Sequence, residues 1–554
     1  MSATARWPAA AMAACVAATL AITAALEIWH NPHGPLVSAF LLYGAVFPAL
    51  LWYWRKSETA DETPLSLPDL RLPAIVVFAL ITGTIGFTYD HGHTLPDESS
   101  YRFQARIFAA GEWKAQPMPG AAATAPETPP EIYFEHQAHT RRGWFSKYPP
   151  GWPLALAVGC LAGCPWAMNP LFGVILLLLV NTLARPWGRE TQNLAVIFTA
   201  LSASSMLYST GFLSHAFMAV AGMGAMAAAF EGVRTERMRD IALCFLLVAI
   251  GTEIRPLTGA VVAASCAGYV LYALWGKWRL FGISFATVVV AGAASAAMVL
   301  ALNRLYTGSA LISPYAYSRG VSKVPELTLD PSLIAHNVAS VWRWSVTDTL
   351  CFTFPFLFPA AIYACKIERR FRRELITLAL LFPLLMAAYL FQSESSSSFD
   401  GERYYYEGFA ALCIVAARGS LLLISRWRIR KQAVSRGLLA LGAIHVLFIV
   451  VMVRDVEARL APWRIAYRAS VAAPRPALVF LGGSQAAFAS KHANWNEARW
   501  ETEPTLFLND PGVARRDAVA CRFQRSSYRV VTYDVATQRV FTYDGAARCG
   551  DAGR

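Results

Sequence analysis

Long apolar stretches separated by short polar ones run through almost the whole chain. Thirteen of them approach or reach the length of a helix that crosses about 30 Å of hydrocarbon, which takes about 20 residues. They cover residues 9–27, 36–54, 72–89, 166–184, 191–210, 214–232, 240–253, 256–275, 280–302, 345–364, 374–391, 404–423 and 436–453. This pattern predicts an all-α polytopic membrane protein with about 13 transmembrane helices.

Basic residues predict the orientation of these helices. They cluster in six intervening segments: Arg55 with Lys56, Arg185 to Arg189, Arg234 to Arg239, Lys277 to Arg279, Lys366 to Arg373, and Arg426 to Arg436. Because short loops rich in Lys and Arg stay in the cytoplasm, all six are predicted to be cytoplasmic. The amino terminus is then cytoplasmic, whereas the segments 90–165, 303–344 and 392–403 and the tail lie outside.

One apolar stretch does not fit this alternation. Residues 151–164 follow an outer segment and precede the span 166–184, which has to return to the cytoplasmic Arg185. The stretch is short, opens within "YPPGWP" and closes at Pro165. It is therefore predicted to be a helix in the outer membrane interface rather than a span.

The chain divides into three predicted parts. Residues 1–71 hold two spans, 72–453 form a transmembrane domain with the outer loop 90–165, and 454–554 form an extracytoplasmic domain. In the last part the runs "ALVFLGG", "TLFLND", "YRVVTYD" and "RVFTYDG" are typical of strands, which predicts a small α/β or β module. Residues 1–30 also have features of a signal peptide, although an uncleaved first span is the preferred interpretation.

The strong positive charge does not indicate nucleic-acid binding. The net charge is +13, but the basic residues occupy the loops where positive-inside topology puts them, and 56% of the chain is hydrophobic. Eight of the ten cysteines lie in or beside apolar stretches. Cys521 and Cys549 lie in the polar tail and could form a disulfide if the tail is outside the cytoplasm.

The adjacent carboxylates Asp97 and Glu98 follow the span 72–89 in "HTLPDESSYRFQARIF". One interpretation is structural, because acidic residues in the first turn cap a helix and favour its dipole. The other is chemical, because a sugar hydroxyl or an amine is a poor nucleophile until a positioned base accepts its proton. In that case one carboxylate is the base and the other orients the acceptor or holds a metal.

Three basic residues are candidates for binding an anion at the membrane surface. Lys147 lies in "GWFSKYPPGWP", and Arg255 lies in "GTEIRPLTG" between two spans, where an unpaired charge is costly. Arg255 pairs either with Glu253 or with a phosphate of a substrate. Arg403 lies at the outer end of a span and is a second candidate phosphate ligand.

Further residues are candidates for contacting the substrate: Tyr101, Tyr148, Tyr404 and His215. The alternative is a purely structural role, with the tyrosines in an ordinary interfacial aromatic belt and the lone histidine in the scaffold. His91 and His93 are spaced for a metal, but Asp97 would complete only a thin ligand set. No metal site is predicted, and dependence on a divalent metal is left open.

These motifs resemble the GT-C superfamily of glycosyltransferases that use lipid-phosphate sugars, and above all the branch with protein O-mannosyltransferases and the aminoarabinose transferase of lipid A. In that branch a "DE" motif begins the first outer loop, as Asp97 and Glu98 do here. A "KPPL"-like motif opens its juxtamembrane helix, and here the chain reads Lys147-Tyr148-Pro149-Pro150. The segments "IRPLTG", "GERYYYEGFAALCIVAARG" and "LFLNDP" are also similar to segments of bacterial members.

The resemblance implies a specific function and a GT-C fold, with residues 72–453 as the transmembrane catalytic domain and the two spans of residues 1–71 appended to it. Asp97 would be the catalytic base and Glu98 its acidic neighbour, and Lys147, Arg255 and Arg403 would lie near the donor phosphate. The donor would be a polyprenyl-phosphate sugar, usually undecaprenyl-based in bacteria. The sugar would pass, with inversion at the anomeric carbon, to an extracytoplasmic glycan, lipid or protein. The protein would span the bacterial inner membrane and end in the periplasm, with no cofactor certain.

Other functions stay open at this point. A transporter or flippase for a lipid-linked or anionic substrate would line a pathway with Asp97, Glu253 and Arg255, yet it predicts charges near the midplane rather than at one face. An accessory scaffold leaves the DE pair and Lys147 without a role. Within the enzyme class, an oligosaccharide ligase or polymerase with a diphosphate donor is an alternative.

Overall fold

The structure of the chain is a computed structural model, and it describes only part of the sequence. The described residues are 68–90, 92–121, 129–318, 329–338, 357–392, 403–427, 431–472, 477–483, 494–534 and 539–549. The predicted spans 9–27 and 36–54, the first part of the span 345–364, and His91 lie outside these residues.

Helices make up most of the described chain. Those before the longest apolar helix are α1 (Arg71–Thr88), α2 (Pro96–Ala109), α3 (Gly151–Leu161), α4 (Met168–Ala184), α5 (Arg189–Ala200), α6 (Ala203–Tyr208), α7 (His215–Thr235), α8 (Met238–Ile254) and α9 (Pro256–Ala273). The others are α10 (Trp278–Thr307), α11 (Pro314–Ser318), α12 (331–338), α13 (Leu357–Ile367), α14 (Arg372–Tyr389), α15 (Phe409–Arg426) and α16 (Lys431–Val471).

Six helical segments in the described residues are long and apolar enough to cross a membrane. They are Arg71–Thr88, Pro165–Trp187, His215–Thr235, Pro256–Ala273, Trp278–Thr307 and Arg403–Arg426. Each matches a span predicted from the sequence, so the fold is that of a mostly helical, multi-pass membrane protein. The total of about 13 spans stays a prediction.

The predicted span 191–210 is not one continuous helix, and its crossing stays a prediction. Residues 191–210 form the two helices α5 and α6, because Ser202 adopts an extended backbone between them (φ −68°, ψ 127°) and accepts a hydrogen bond from the Ser205 N–H at 3.4 Å. With 12 residues, α5 is only about 18 Å long and cannot cross alone. The short apolar stretch at 151–164 does form a helix, α3, whose interfacial position stays a prediction.

The bundle has a buried centre and an exposed edge. In the apolar segment that includes α15, 67% of the residues are buried, compared with 6% in α10, which therefore presents most of its surface outward. A close crossing lies between α15 and α13, where a Cβ on Gly419 would be 1.8 Å from the carbonyl oxygen of Ala360. A small residue at this crossing lets the two backbones approach, as is typical of membrane helices.

Two small sheets accompany the helices. The hairpin of β1 (Gln137–Thr140) and β2 (Gly143–Ser146) lies in the segment between α2 and α3. The second sheet has the order β4-β3-β5-β6, with β3 parallel to β4 and β5, and β5 antiparallel to β6. Its strands are β3 (Ala477–Gly483), β4 (Thr505–Asn509), β5 (Ser527–Asp534) and β6 (Arg539–Ala546). All four runs that alternate in the sequence are therefore strands.

The second sheet packs directly on the segment that follows α1. Phe103 of α2 and Trp144 of β2 share one apolar cluster with Leu478 and Phe480 of β3. A disulfide joins Cys521 to Cys549, the pairing that the sequence had left open. The helix α16 runs without a break through the predicted boundary between residues 453 and 454, and the three-part division of the chain stays a prediction.

Candidate active site

The first turn of α2 separates the two adjacent carboxylates. Pro96 occupies the first helical position, where a missing N–H costs nothing, and Asp97 and Glu98 follow in the first turn. The Glu98 carboxylate turns back and accepts hydrogen bonds from the backbone N–H groups of Thr94 (2.7 Å) and Phe212 (2.7 Å), and from Leu95 (3.3 Å). Glu98 therefore caps the helix and ties it to the segment before α7.

Gly211 packs so closely against this cap that no larger residue fits there. A Cβ at this position would lie 2.1 Å from the Glu98 Oε1 atom and 2.8 Å from the Tyr89 ring. We expect Gly211→Ala to lower the free energy of unfolding by about 2–3 kcal/mol, because the Glu98 carboxylate cannot move away from the added methyl group without breaking the cap. Gly83→Ala is the control, since nothing lies within 4 Å of a Cβ there, and it should leave stability unchanged or raise it by up to about 1 kcal/mol.

The measurement is unfolding in mixed micelles with increasing fractions of sodium dodecyl sulfate. Equal midpoints for the Gly211→Ala and Gly83→Ala proteins would contradict the packing described for Glu98.

Asp97 points in the opposite direction, into a cluster of hydrogen-bond donors. The Tyr148 hydroxyl donates to Oδ1, the Arg403 Nη1 atom lies 3.4 Å from Oδ2, and the His136 Nε2 atom lies 4.0 Å from Oδ2. Burial alone would raise the pKa of Asp97, but the charges of Arg403 and Lys147, that of His136 where it is protonated at acid pH, and the Tyr148 hydrogen bond hold it well below its usual range. Asp97 is therefore an ionised carboxylate at neutral pH.

The side chains around Asp97 stay in fixed protonation states near neutral pH. Burial and the neighbouring Asp97 charge raise the pKa of Tyr148 well above its usual value, so its hydroxyl keeps the proton that it donates. Burial lowers the pKa of His136 to about 4, although Asp97 opposes this, so the imidazole is neutral.

A second charged cluster lies beside the first. Glu407 Oε1 is 2.9 Å from His215 Nδ1 and 3.2 Å from Arg255 Nε. Arg255 also donates to the Tyr389 hydroxyl at 3.2 Å. The sequence suggested Glu253 as one partner of Arg255, but the structure pairs Arg255 with Glu407 and leaves the Glu253 Oε1 atom buried without a hydrogen bond.

Tyrosine rings connect the two clusters. The Tyr404 ring lies 5.6 Å from the Arg255 guanidinium and 5.2 Å from that of Arg403. The Lys147 Nζ atom lies 4.3 Å from the centre of the Tyr315 ring. Cations held over aromatic faces are partly desolvated but keep their charge. The arrangement gives one positively charged wall with flat surfaces on which a sugar ring can stack.

Both clusters line one cavity of about 520 Å³. Eight of the nine residues predicted from the sequence line it: Asp97, Tyr101, Lys147, Tyr148, His215, Arg255, Arg403 and Tyr404. The ninth, Glu98, lies behind this wall in the helix cap. Among the described residues, no three His, Cys, Asp or Glu side chains are grouped to hold a metal ion.

Four cavity or support residues were missed by sequence reasoning: His136, Glu407, Tyr315 and Tyr389. Glu407 had a weak signal, because it is an acidic residue directly after the tyrosines of "RYYYEGF", beside an apolar span. His136 had none, since it stands in a turn before a four-residue strand. Tyr315 and Tyr389 come from elements distant in sequence.

An apolar groove adjoins the charged cavity. Its volume is about 490 Å³, and it runs between α8, α9 and α10. Apart from Thr252 and Ser295 its walls are apolar, with residues such as Phe245, Val288 and Leu300. Thr252 and Val299 line both the groove and the charged cavity. A ligand with an anionic head and a long apolar tail would therefore find a continuous surface.

The fold is that of the GT-C glycosyltransferases. The chain superposes on ArnT from Cupriavidus metallidurans in the apo state with a TM-score of 0.51 at 15% identity, over 83% of this chain and 93% of that one. The motif-based prediction is thereby confirmed at the level of the fold.

Two further solved structures match with TM-scores below 0.5. ArnT from Cupriavidus metallidurans bound to undecaprenyl phosphate matches with a TM-score of 0.49 at 14% identity, over 83% of this chain and 93% of that one. The apo oligosaccharyltransferase of Archaeoglobus fulgidus matches with a TM-score of 0.47 at 12% identity, over 83% of this chain and 69% of that one. No protein-family model matches the chain, and no curated protein matches its sequence.

Proposed function

We propose that this protein transfers a sugar from a polyprenyl-phosphate carrier to an acceptor, by direct displacement with inversion at the anomeric carbon. The observation that carries the proposal is one cavity in which an ionised carboxylate, Asp97, faces three cations, Lys147, Arg255 and Arg403. The GT-C fold supports a glycosyltransferase in general. The groove between α8, α9 and α10 would hold the polyprenyl chain.

Each side chain has a defined role in this reaction. Asp97 accepts the proton of the attacking group, which is the task of a general base. Lys147, Arg255 and Arg403 stabilise the negative charge that grows on the departing phosphate. Glu98 acts through Asp97, by fixing the first turn of α2, and is a positioning residue. Tyr101, Tyr148, Tyr404 and His215 line the space for the sugar.

The ends of the helices support a site on the outer face. The cavity residues lie near the start of α7, α9 and α15 and near the end of α8, α10 and α14. The basic segments, such as Arg234 to Arg239 and Lys366 to Arg373, lie at the opposite ends of these helices. By the positive-inside rule the cavity then opens to the periplasm of a bacterial inner membrane. The disulfide of the carboxyl-terminal part supports an oxidising compartment.

Binding of the carrier tests this function without knowledge of the sugar. We expect undecaprenyl phosphate to bind the protein in nanodiscs, and Lys147→Gln to weaken that affinity about tenfold, because an ion pair with a phosphate in a partly desolvated site is worth about 1.5–3 kcal/mol. Lys277→Gln, at the other end of the bundle where Lys277 contacts Glu236, should have no effect.

The matched lipid control is undecaprenol, which has the same chain and no phosphate. Its affinity should be the same for wild type and Lys147→Gln. If undecaprenol binds as tightly as undecaprenyl phosphate to the wild-type protein, the cations do not recognise a phosphate and the proposal is wrong.

A further inference from the structure

His136 has an unusual backbone conformation for its residue type. Its φ angle is +63°, in the left-handed region that is most often occupied by glycine. The His136 carbonyl oxygen is held there by two donors, the Ser100 hydroxyl at 2.8 Å and the Lys147 N–H at 3.0 Å. A non-glycine residue in this region costs about 1–3 kcal/mol, and such residues cluster at functional sites.

The imidazole of His136 lines the cavity next to the proposed base. Its Nε2 atom is 4.0 Å from Asp97 Oδ2 and 3.9 Å from Glu135 Oε1, and its ring meets the Tyr148 ring edge to face at 5.9 Å. The distance to Asp97 is too long for a direct hydrogen bond. One oxygen atom can, however, lie about 2.8 Å from both atoms, which is the normal length of a hydrogen bond.

We infer that the gap between His136 Nε2 and Asp97 Oδ2 receives the attacking oxygen of the acceptor, and that this oxygen belongs to an uncharged hydroxyl group. This inference rests on the transfer reaction proposed above. A hydroxyl satisfies both neighbours, since it donates its proton to Asp97 and accepts the Nε2–H of the neutral imidazole. A phosphate monoester is mostly a dianion at neutral pH, because its second pKa is about 6, so most of it has no proton to give and the Asp97 charge repels it.

The transfer step is balanced with these groups. The hydroxyl oxygen forms a bond to the anomeric carbon of the donor sugar, and its proton moves to Asp97 Oδ2. The bond between that carbon and the phosphate oxygen breaks, and its electron pair leaves with the lipid phosphate beside the cations. His136 keeps its proton throughout, and its hydrogen bond to the transferred oxygen breaks when the product leaves. The Nε2–H of His136 contacts the attacking oxygen. Because this hydrogen bond uses one lone pair of that oxygen, the other lone pair is directed at the anomeric carbon.

Chemical treatment of the acceptor fraction tests whether the attacking group is a hydroxyl. The assay measures transfer from radiolabelled undecaprenyl-phosphate hexoses and pentoses to a bacterial envelope fraction by the protein in liposomes. Treatment of the fraction with alkaline phosphatase should leave its capacity to accept sugar unchanged, whereas O-acetylation should abolish it. Loss of capacity after phosphatase treatment, with capacity kept after acetylation, would overturn the inference and identify a phosphate acceptor.

Variants of His136 test the role of the imidazole. His136→Asn tolerates the left-handed backbone but places its amide short of the Nε2 position, so we expect its Tm to equal or exceed that of wild type. Its kcat/KM for the envelope acceptor should fall at least about tenfold, with unchanged affinity for undecaprenyl phosphate. His136→Gln carries an N–H near the Nε2 position and should recover most of that loss. His336→Asn, exposed on α12, is the control and should behave as wild type.

The outcomes separate this inference from the proposed function. Full transfer by His136→Asn, with none by Asp97→Asn, would overturn the role of His136 and leave the transferase intact. Full transfer by both variants would overturn the role of Asp97 as the base, and this inference with it. No transfer by wild type would overturn the proposed function itself.

Discussion

Asp97→Asn is expected to abolish sugar transfer while it tightens the binding of undecaprenyl phosphate. The amide cannot accept the proton of the attacking group, and the loss of a general base costs roughly 10³-fold in rate. In the free protein the Asp97 carboxylate lies 3.4 Å from Arg403, so it partly neutralises the cation to which a phosphate would bind. Removal of this competitor should raise affinity for the lipid phosphate about tenfold, or about 1.4 kcal/mol.

The competition between Asp97 and the donor phosphate for the same cations also explains how Asp97, a weak base in the free protein, becomes a stronger one. The cations that hold the pKa of Asp97 low are the cations that the donor phosphate would neutralise. Donor binding therefore raises the pKa of Asp97 towards its usual value, which makes the carboxylate a better proton acceptor only when the donor is present. By reciprocity, a neutral side chain at this position favours the bound phosphate.

Titration of the protein in nanodiscs with undecaprenyl phosphate measures the affinity half of this prediction. Because Asp97 stays ionised across the accessible range, the gap between wild type and Asp97→Asn should persist from about pH 5 to pH 8. A matched change at a distant acid, Glu231→Gln, should alter neither affinity nor transfer, since Glu231 is half-exposed and contacts Arg234 on the surface of α7. Weaker lipid binding by Asp97→Asn would contradict the shared use of Arg403.

Glu407→Leu is expected to destabilise the protein by about 3–5 kcal/mol, because it leaves a buried guanidinium without its counter-charge. Glu407 is 1% exposed in its side chain, Arg255 13% and His215 1%, so water cannot replace the lost carboxylate. The variant should also bind undecaprenyl phosphate poorly, since Arg255 is held in place on one side by Glu407 and on the other by the Tyr389 hydroxyl.

The double variant Arg255→Met with Glu407→Leu separates the two effects. Replacement of a whole buried pair by apolar residues costs far less than removal of one partner, so stability should return towards that of wild type. Undecaprenyl phosphate binding should stay weak, because the cation is gone. Unfolding in mixed micelles measures the first quantity and nanodisc titration the second. If the single Glu407→Leu variant unfolds like wild type, Glu407 is not the partner that holds Arg255.

Hydropathy and basic loops were enough to predict a helical membrane protein and six of its spans. They were not enough at residues 191–210, because an apolar stretch does not reveal that Ser202 caps a new helix inside it. The four strands near the carboxyl end were predicted from their alternation, since one face of each meets a core. The pairing of Cys521 with Cys549 depends on their proximity in the fold, which spacing does not give.

In the candidate site, too, features set by neighbouring residues in the sequence were predicted, whereas contacts between residues far apart in the sequence were not. Asp97, Lys147, Arg255 and Arg403 were found because a charge beside an apolar span is costly and needs a reason. The direction of Glu98 was not foreseeable, since it is set by the Phe212 N–H, 114 residues away. The partner of Arg255 was also not foreseeable, because Glu407 reaches it from a different helix, whereas Glu253 is its neighbour in sequence.

The most direct test of the central claim is turnover of a lipid-linked sugar. Purified protein in liposomes would receive radiolabelled undecaprenyl-phosphate sugars and an envelope acceptor fraction. We predict that wild type releases undecaprenyl phosphate and moves label to the acceptor only when that fraction is present, and that Asp97→Asn, at matched stability, does neither. Movement of intact donor across the bilayer without loss of its sugar, or equal turnover by both proteins, would contradict the assignment of a glycosyltransferase that uses Asp97.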